Sequence, residues 1–320
     1  MKENHGNGKH GPVALVSVII PVFNGAEHIG RALESVCRQT YPTSHLEVIV
    51  VDDGSTDGSA KLAASFTDRL PNLQLLVQPN RGVAAARNLG LSICTGELIA
   101  FLDCDDEWLP EKVAAQVGVI RADPTLGLVH CGCVFVDTAG NELKGWSRQS
   151  RVDEGDILLE FLCDFFLITS SVMVPRTVIE QVGDFDENLK VGEDNELFLR
   201  ILRRYRAGCV SESLLRRTVR PDSLSRQDYA LDAEIDLETL ERFLDCHPDF
   251  ARAHERRINA HMAEYLFGYG YRLLEDGRVE QARDALRRSL KVRWTSHAAR
   301  SLLRSYLPTG LARQARTAWR

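Results

Sequence analysis

Gly96-Glu97-Leu98-Ile99-Ala100-Phe101-Leu102-Asp103-Cys104-Asp105-Asp106 decides how this chain is read. An uncharged run from Leu98 to Leu102 ends abruptly in three acids, the pattern of a buried parallel strand that delivers carboxylates to the open edge of a sheet. Ligands of open α/β sheets bind beyond that edge. Side chains alternate across a strand, so Asp103 and Asp105 are expected on one side with Cys104 on the other, giving two oxygen donors to one small volume. Hard donors of this kind suit Mg²⁺ or Mn²⁺ better than zinc. The plainer reading of the same acids is a solvated turn, or a cap for the helix that Pro110 is placed to start.

Upstream, strand and helix patterns alternate. Ser17 to Pro21 reads as a strand, 26–39 as a helix, Leu46 to Val51 as a second strand, Leu73 to Val77 as a third and Val83 to Ile93 as a helix. This alternation predicts an α/β fold, a Rossmann-like and mostly parallel sheet flanked by helices with right-handed crossovers. Strand ends therefore empty polar loops onto the same edge before the acids do. In Asp52-Asp53-Gly54-Ser55-Thr56-Asp57, Asp53 can accept a hydrogen bond from a base imide while Gly54 lets a ligand approach; a plain turn with Asp57 as N-cap is the alternative. Arg87 projects from a helix of small residues and suits a diphosphate, an acid of the site, or a surface salt bridge.

The chain has 320 residues, 44% of them hydrophobic, enough for one large domain and an appendage. Its net charge of −6 argues against a nucleic-acid binder. From Gln281 to Arg320, ten Lys or Arg against the single acid Asp284 make +9, which leaves −15 for the other 280 residues. A basic tail on an acidic body points to an anionic contact, such as a membrane surface, a phosphorylated lipid or a partner, or else to a solvated arginine face. The eight cysteines show no framework spacing, which fits a reducing cytoplasm. Cys131-Gly132-Cys133 beside His130 lacks the second pair that a zinc site needs. No uncharged run reaches the ~18 residues of a spanning helix. The run from Val13 to Phe23 looks superficially like a signal peptide but serves better as the first strand. Gly6 to Gly11 spells a dinucleotide fingerprint without the strand and helix that give it meaning, and residues 1–12 read as a disordered tail.

Taken together, Pro21-Val22-Phe23-Asn24, Val51-Asp52-Asp53-Gly54-Ser55-Thr56-Asp57, Asn80-Arg81-Gly82-Val83-Ala84-Ala85-Ala86-Arg87-Asn88-Leu89-Gly90 and Asp103-Cys104-Asp105-Asp106 resemble the family 2 glycosyltransferases of GT-A fold. The motifs stand in that family's order and approximate spacing, and the resemblance runs on through Gly183-Asp184-Phe185-Asp186-Glu187 and Gly192-Glu193-Asp194-Asn195-Glu196. It implies a GT-A catalytic domain over 13–228. It also implies a nucleotide-sugar site at Pro21, Phe23, Asn24, Asp53, Arg87 and Asp103, with Mg²⁺ or Mn²⁺ held by Asp105 and Asp103. Asp194 is implied as catalytic base, with Glu193 orienting it or binding the acceptor and Glu196 as a third acid; ordinary capping of a helix N-terminus also explains these acids. One departure stands out in Arg216-Arg217-Thr218-Val219-Arg220-Pro221-Asp222-Ser223-Leu224-Ser225, where Arg220 takes a position that similar enzymes often give to His. A guanidinium can neutralise phosphate but is a poor metal ligand.

Residues 127–136 and 168–174 read as further strands, separated in part by a polar stretch, 137–156, with Gly140, Gly145 and Trp146. From Tyr229 the pattern is helical, an all-helical extension over 229–320 with one tetratricopeptide-like hairpin marked by Tyr265, Gly268, Tyr269, Leu273, Gly277, Ala282, Ala285, Leu286 and Leu290. Leu311 and Trp319 among Arg313, Arg316 and Arg320 suit either peripheral contact with the inner face of a membrane or an ordinary docking helix. The expected activity is inverting transfer from a nucleotide-diphospho-sugar, UDP by default, to a glycan or lipid-linked acceptor in cell-surface polysaccharide synthesis. Two rivals are a metal-dependent nucleotidyltransferase, for which no basic glycine-rich triphosphate loop is visible, and a non-catalytic scaffold acting through its helical tail.

Overall fold

Near-continuous apolar runs become strands covered on both faces, as a parallel sheet between helices requires. β1 (Val16–Val22) and β2 (Leu46–Asp52) are buried at every position. The structure is a computed structural model and describes residues 13–143, 153–219 and 229–306. Contacts divide the described residues into two units, 13–161 with 166–219 and 162–165 with 229–306.

In the first unit the chain continues from β1 through α1 (Ile29–Cys37), β2, α2 (Ser59–Ala64), β3 (Leu73–Val77) and α3 (Val83–Ile93) to β4 (Leu98–Phe101). Then come β5 (Glu107–Trp108), α4 (Lys112–Ala122), β6 (Leu126–Val136), α5 (Leu158–Asp164, whose residues from Leu162 on count with the second unit), β7 (Met173–Pro175), α6 (Arg176–Val182), α7 (Glu193–Leu202) and β8 (Arg206–Thr218). One eight-stranded sheet results, in the order β3-β2-β1-β4-β7-β6-β8-β5. β3, β2, β1 and β4 are mutually parallel, β6 is parallel to β8, and β7 runs antiparallel to β4 and β6. This is the mixed α/β sheet of the GT-A fold.

Close packing follows from small residues. Ala84, Ala85, Ala86 and Gly90 of α3 are buried, and a Cβ on Gly90 would stand 2.7 Å from Ile19 Cγ2. At the edge where β1, β2 and β4 begin, Glu47 accepts hydrogen bonds from Ser17 Oγ at 2.5 Å and from Thr95 N and Oγ1 at 2.8 Å each. Burial opposes its charge, yet these donors hold the Glu47 carboxyl below its usual range. The opposite edge is thereby left to the ligand-facing loops.

Pro21 lies inside a central strand without breaking it. Asp53 N–H donates to Val22 O at 2.8 Å and Leu102 N–H to Ile19 O at 3.0 Å, so successive residues of β1 turn alternately toward β2 and β4. Pro21 shares the side of Ile19, whose partner Phe101 is the last residue of β4. Its missing N–H falls where the neighbouring strand has ended.

The expected strand over 168–174 is shorter. Thr169–Ser171 form a 3₁₀ turn, and only Met173–Pro175 pair as β7. β8, thirteen residues long, has no counterpart in the sequence reading. Ser211, Glu212, Ser213, Arg216 and Arg217 dilute its apolar alternation, and register shifts between Cys131 and Cys133 break its pairing with β6. His130 bonds the Asp153 carbonyl at 2.7 Å, and Cys131 and Cys133 are buried in the core. Among the described residues no three His, Cys, Asp or Glu gather as a metal cage.

The second unit holds α8 (Tyr229–Cys246), α9 (Pro248–Glu275), α10 (Val279–Val292) and α11 (Ser296–Arg304). α9 and α10 form a hairpin about Gly277, whose φ is +76°. A Cβ on Gly270 would stand 2.9 Å from Leu286 Cγ, so the helices approach closely over a core of Leu266, Tyr269, Leu273, Ala282 and Ala285. No described helix is long and apolar enough to cross a membrane. The dinucleotide-like glycines of 1–12, Gly145, Trp146, Arg220 and the basic segment from Leu311 to Arg320 lie outside the described residues.

Candidate active site

The loops after β1 and β2 are laced together. Asn24, at φ +48°, accepts from Thr56 N–H at 2.9 Å through Oδ1, while its own N–H donates to Ser55 Oγ at 2.9 Å. Gly25 N–H donates to Ser59 Oγ, and Ala26 N–H to Asp57 Oδ2, both at 2.9 Å. Asp57 Oδ1 also receives Ser59 N–H at 3.0 Å, a local turn bond one residue ahead of Gly58, which is the N-cap of α2 in place of Asp57. Above this lacing Phe23 stands 50% exposed, an aromatic face open at the strand edge. Pro21 is buried within β1 beneath it.

Asp53 follows directly on β2. It is 3% exposed, and its carboxylate receives Gln78 Nε2 at 2.7 Å, Arg81 N–H at 2.8 Å and Gly82 N–H at 2.8 Å. It anchors the turn into α3. Gly54 makes the close passage possible: at φ +84°, a Cβ there would lie 2.9 Å from Asn80 N.

Arg87 pairs with acids of the site, one of the parts that the sequence allows it. It is 3% exposed and joins two motifs far apart in sequence, donating through Nη2 to Asp103 Oδ1 at 2.7 Å and through Nη1 to Glu193 Oε1 at 2.5 Å. Its guanidinium carbon lies 5.4 Å from the centroid of Phe185, which meets Phe101 edge-on at 5.3 Å. Burial disfavours its charge, but Asp103, Glu193 and Asp194 outweigh that and hold the proton more tightly than usual. The next residue, Asn88, completes the join by donating to Phe185 O and accepting from Phe185 N–H, both at 2.9 Å.

The three acids after β4 separate into two environments. Asp106 is 2% exposed and accepts Thr218 N–H at 3.3 Å; burial, then Asp105, push its carboxyl well above the usual range. Asp103 and Asp105 are half-buried. Asp103 Oδ1 is taken by Arg87, and its other oxygen with the Asp105 carboxylate could hold a hard divalent cation. Two carboxylates complemented by water and diphosphate oxygens fit Mg²⁺ or Mn²⁺, which do not need an all-protein cage.

α7 opens at Gly192, φ +80°, and carries Glu193, Asp194 and Glu196 in its first turn. Burial and the adjacent Asp194 raise the Glu193 carboxyl, against the pull of Arg87. Asp194 is half-buried, with Thr169 Oγ1 donating to Oδ2 at 2.5 Å and Asn195 N–H to Oδ1 at 2.8 Å. Glu196 is paired with Arg200 at 2.8 Å, and Arg200 also binds the carbonyls of Val182, Gly183 and Asp184. Glu196 thus belongs to the scaffold of the helix.

The 3₁₀ turn supplies residues that the sequence reading passed over. Thr169 orients Asp194, Ser170 Oγ receives Asp103 N–H at 3.0 Å, and Ser170 O receives Trp108 Nε1–H at 2.8 Å. The hydroxyl run Thr169-Ser170-Ser171, interrupting an otherwise apolar segment, was the available signal. Asp103, Asp194, Glu193 and Arg87 therefore form one connected network built from α3, the β4 end, the 3₁₀ turn and α7.

Known proteins share this frame. An uncharacterised glycosyltransferase of Rickettsia typhi is 33% identical over 193 residues, 59% of this chain and 59% of that protein. The chain thus aligns with about three-fifths of that relative's length. Staphylococcus aureus TarS 1-349, solved with UDP-GlcNAc, superposes with a TM-score of 0.60 at 18% identity, covering 95% of this chain and 93% of the other. The Pyrobaculum calidifontis mannosyltransferase, solved with GDP-Man and Mn²⁺, gives a TM-score of 0.60 at 22% identity over 96% and 81% of the two chains. The profile of Glycosyl transferase family 2 matches residues 17–181, just over half of the chain, and the protein belongs to that family.

Proposed function

We propose that the protein moves a sugar from a nucleotide-diphospho-sugar to an acceptor hydroxyl with inversion at the anomeric carbon. UDP is the default nucleotide, and the acceptor is a glycan or lipid-linked saccharide in cell-surface polysaccharide synthesis. One observation carries this reading: Arg87 ties Asp103, at the strand end suited to a diphosphate, to Glu193, next to the half-buried carboxylate of Asp194. The UDP-GlcNAc of the Staphylococcus structure and the GDP-Man and Mn²⁺ of the Pyrobaculum structure support the donor class and leave the base to be assigned by experiment.

The exposed ring of Phe23 gives the base a stacking face, and the laced loops around Asn24 fix its rim. Asp53 acts at one remove by fastening residues 81–82 and the start of α3. Asp103 and Asp105 would hold Mg²⁺ or Mn²⁺, which when bound supplies charge stabilisation for a departing nucleotide diphosphate. Arg87 keeps the Asp103 and Glu193 carboxylates apart and oriented. Asp194, its Oδ2 steadied by Thr169, takes the proton of the acceptor hydroxyl as that oxygen attacks C1 from the face opposite the leaving group. A single displacement inverts the anomer. Glu193 stands beside that base as a positioning group.

Calorimetric titration of UDP, GDP, dTDP and CMP into wild type and Asp105→Ala, with and without Mn²⁺, tests the reading. It predicts one nucleotide that binds wild type with Mn²⁺ and is lost without the metal or the carboxylate. Binding indifferent to both would turn the reading toward a non-catalytic scaffold, and pyrophosphate release from a nucleoside triphosphate and a sugar phosphate toward a nucleotidyltransferase.

A further inference from the structure

The second unit carries a surface that the transferase chemistry does not use. Trp294 is 72% exposed, Leu303 71% and Tyr306 53%. All three fall within residues 294–306, at the link between α10 and α11 and along α11 to the residues just after it. Arg283 of α10 donates to the Ser305 carbonyl at 2.7 Å and lies 4.0 Å from the Tyr306 ring centroid, and Arg287 reaches the Tyr306 hydroxyl at 2.5 Å. α10 and α11 are therefore antiparallel neighbours, and the exposed residues belong to one helical pair. Along α11, Ser296, Arg300 and Leu303 follow the i, i+4, i+7 spacing of one helix face, and Arg300 and Leu303 are both exposed. Lys291, Arg293 and Trp294 are exposed where the two helices join.

Charge selects the occupant. Residues 285–306 contain Arg287, Arg288, Lys291, Arg293, Arg300 and Arg304 and no Asp or Glu; Arg288 pairs with Glu234 and Glu241 of α8, and His297 meets Glu264 of α9, so the basic side chains that the surface presents are Lys291, Arg293 and Arg300. Exposed indole and leucine among basic side chains, on helices too polar to span a bilayer, match the chemistry of an interfacial contact. An aromatic side chain seats in the headgroup region while guanidinium and ammonium groups meet lipid phosphates. A nucleic acid would use the charges but has no use for the exposed Leu303. We infer that the α10–α11 face, through Trp294 and Leu303 flanked by Lys291, Arg293 and Arg300, docks on an anionic lipid surface.

Co-sedimentation of the full chain with phosphatidylcholine vesicles, with or without about 30% phosphatidylserine, tests this. Wild type should bind the anionic vesicles and leave the neutral ones in the supernatant. K291Q/R293Q/R300Q should weaken binding by on the order of a hundred-fold, from about 1 kcal/mol per basic residue. W294A/L303S should weaken it at least about ten-fold while leaving net charge unchanged. All five positions are exposed, so circular dichroism should show both variants folded. The inference is overturned by absent binding, by equal binding to neutral vesicles, or by W294A/L303S binding as wild type. Duplex DNA that displaces the vesicles from wild type and binds W294A/L303S equally well would reveal a general polyanion surface, which also overturns it.

Discussion

Replacing Arg87 by Met removes the guanidinium from a buried junction of carboxylates. The side chains of Arg87 and Glu193 are 4% and 7% exposed, so water cannot take the place of the guanidinium at Glu193. Leaving one partner of a buried pair uncompensated costs about 3–5 kcal/mol. The Asp103 contact adds little, because that side chain is 33% exposed and water can replace the lost bond. The pH dependence carries the sign. Burial already raises the Glu193 carboxyl above its ordinary 4.5, and loss of Arg87 removes a pull in the other direction. A carboxyl raised in the folded state favours folding while it is protonated, and that contribution is lost as pH rises through the folded value. Arg87→Met should therefore lose most at pH 8 and least near pH 4.5. Urea unfolding of wild type, R87M and R87M/E193Q at the two pH values measures this, and the neutral amide introduced by E193Q should recover most of the loss at pH 8. A loss below about 1 kcal/mol at pH 8, or an equal loss at both pH values, would refute the argument that a stranded Glu193 charge is what Arg87 prevents.

Asp194→Asn should preserve nucleotide affinity and lower turnover about 10²- to 10⁴-fold, and near-normal turnover in a donor-saturated assay would remove Asp194 from the role of base. Thr169→Val deletes only the 2.5 Å donor to Asp194. It should reduce kcat with little change in donor KM, whereas an equal fall in nucleotide binding would point to collapse of the 3₁₀ turn. Lys112 is fully buried, donates to Gln116 Oε1 at 2.7 Å and sits 4.1 Å from the Trp108 ring centroid, and burial lowers it to about 8. Because its folded value lies below its ordinary 10.5, protonation opposes folding below about 8 and that penalty fades toward 10.5. Denaturant melts should then show wild type gaining on Lys112→Met by up to about 3 kcal/mol between pH 7 and 10, and parallel pH profiles would contradict it.

What the sequence discloses here depends on how local the cause is. β1, β2, β4 and α3 announce themselves because burial on both faces, or tight helix packing, demands a continuous run of apolar or small residues. β8 stays hidden because its alternation is diluted by Arg and Ser and its pairing with β6 shifts register. The acids were visible as residues, but their division of labour was not. Asp106 turns inward, Asp53 is claimed by Gln78, Arg81 and Gly82, and Arg87 reaches sideways to Asp103 and Glu193. Such partners lie up to 112 positions apart, and no spacing rule connects them. Thr169 is the extreme case, an ordinary hydroxyl in sequence that gains its meaning only once α7 delivers Asp194 to it.

The lacing of Asn24, Gly25 and Ala26 to Ser55, Asp57 and Ser59 also bears on the kinetics of recognition. Those loops hold one another through bonds within the protein, so little backbone ordering entropy remains to be lost on encounter with a nucleotide. A rim set in advance favours association limited by diffusion and orientation over association limited by folding. On the proposed function, discrimination among nucleotides rests on shape against that edge, and differences between good and poor donors should reside in residence time more than in rate of capture.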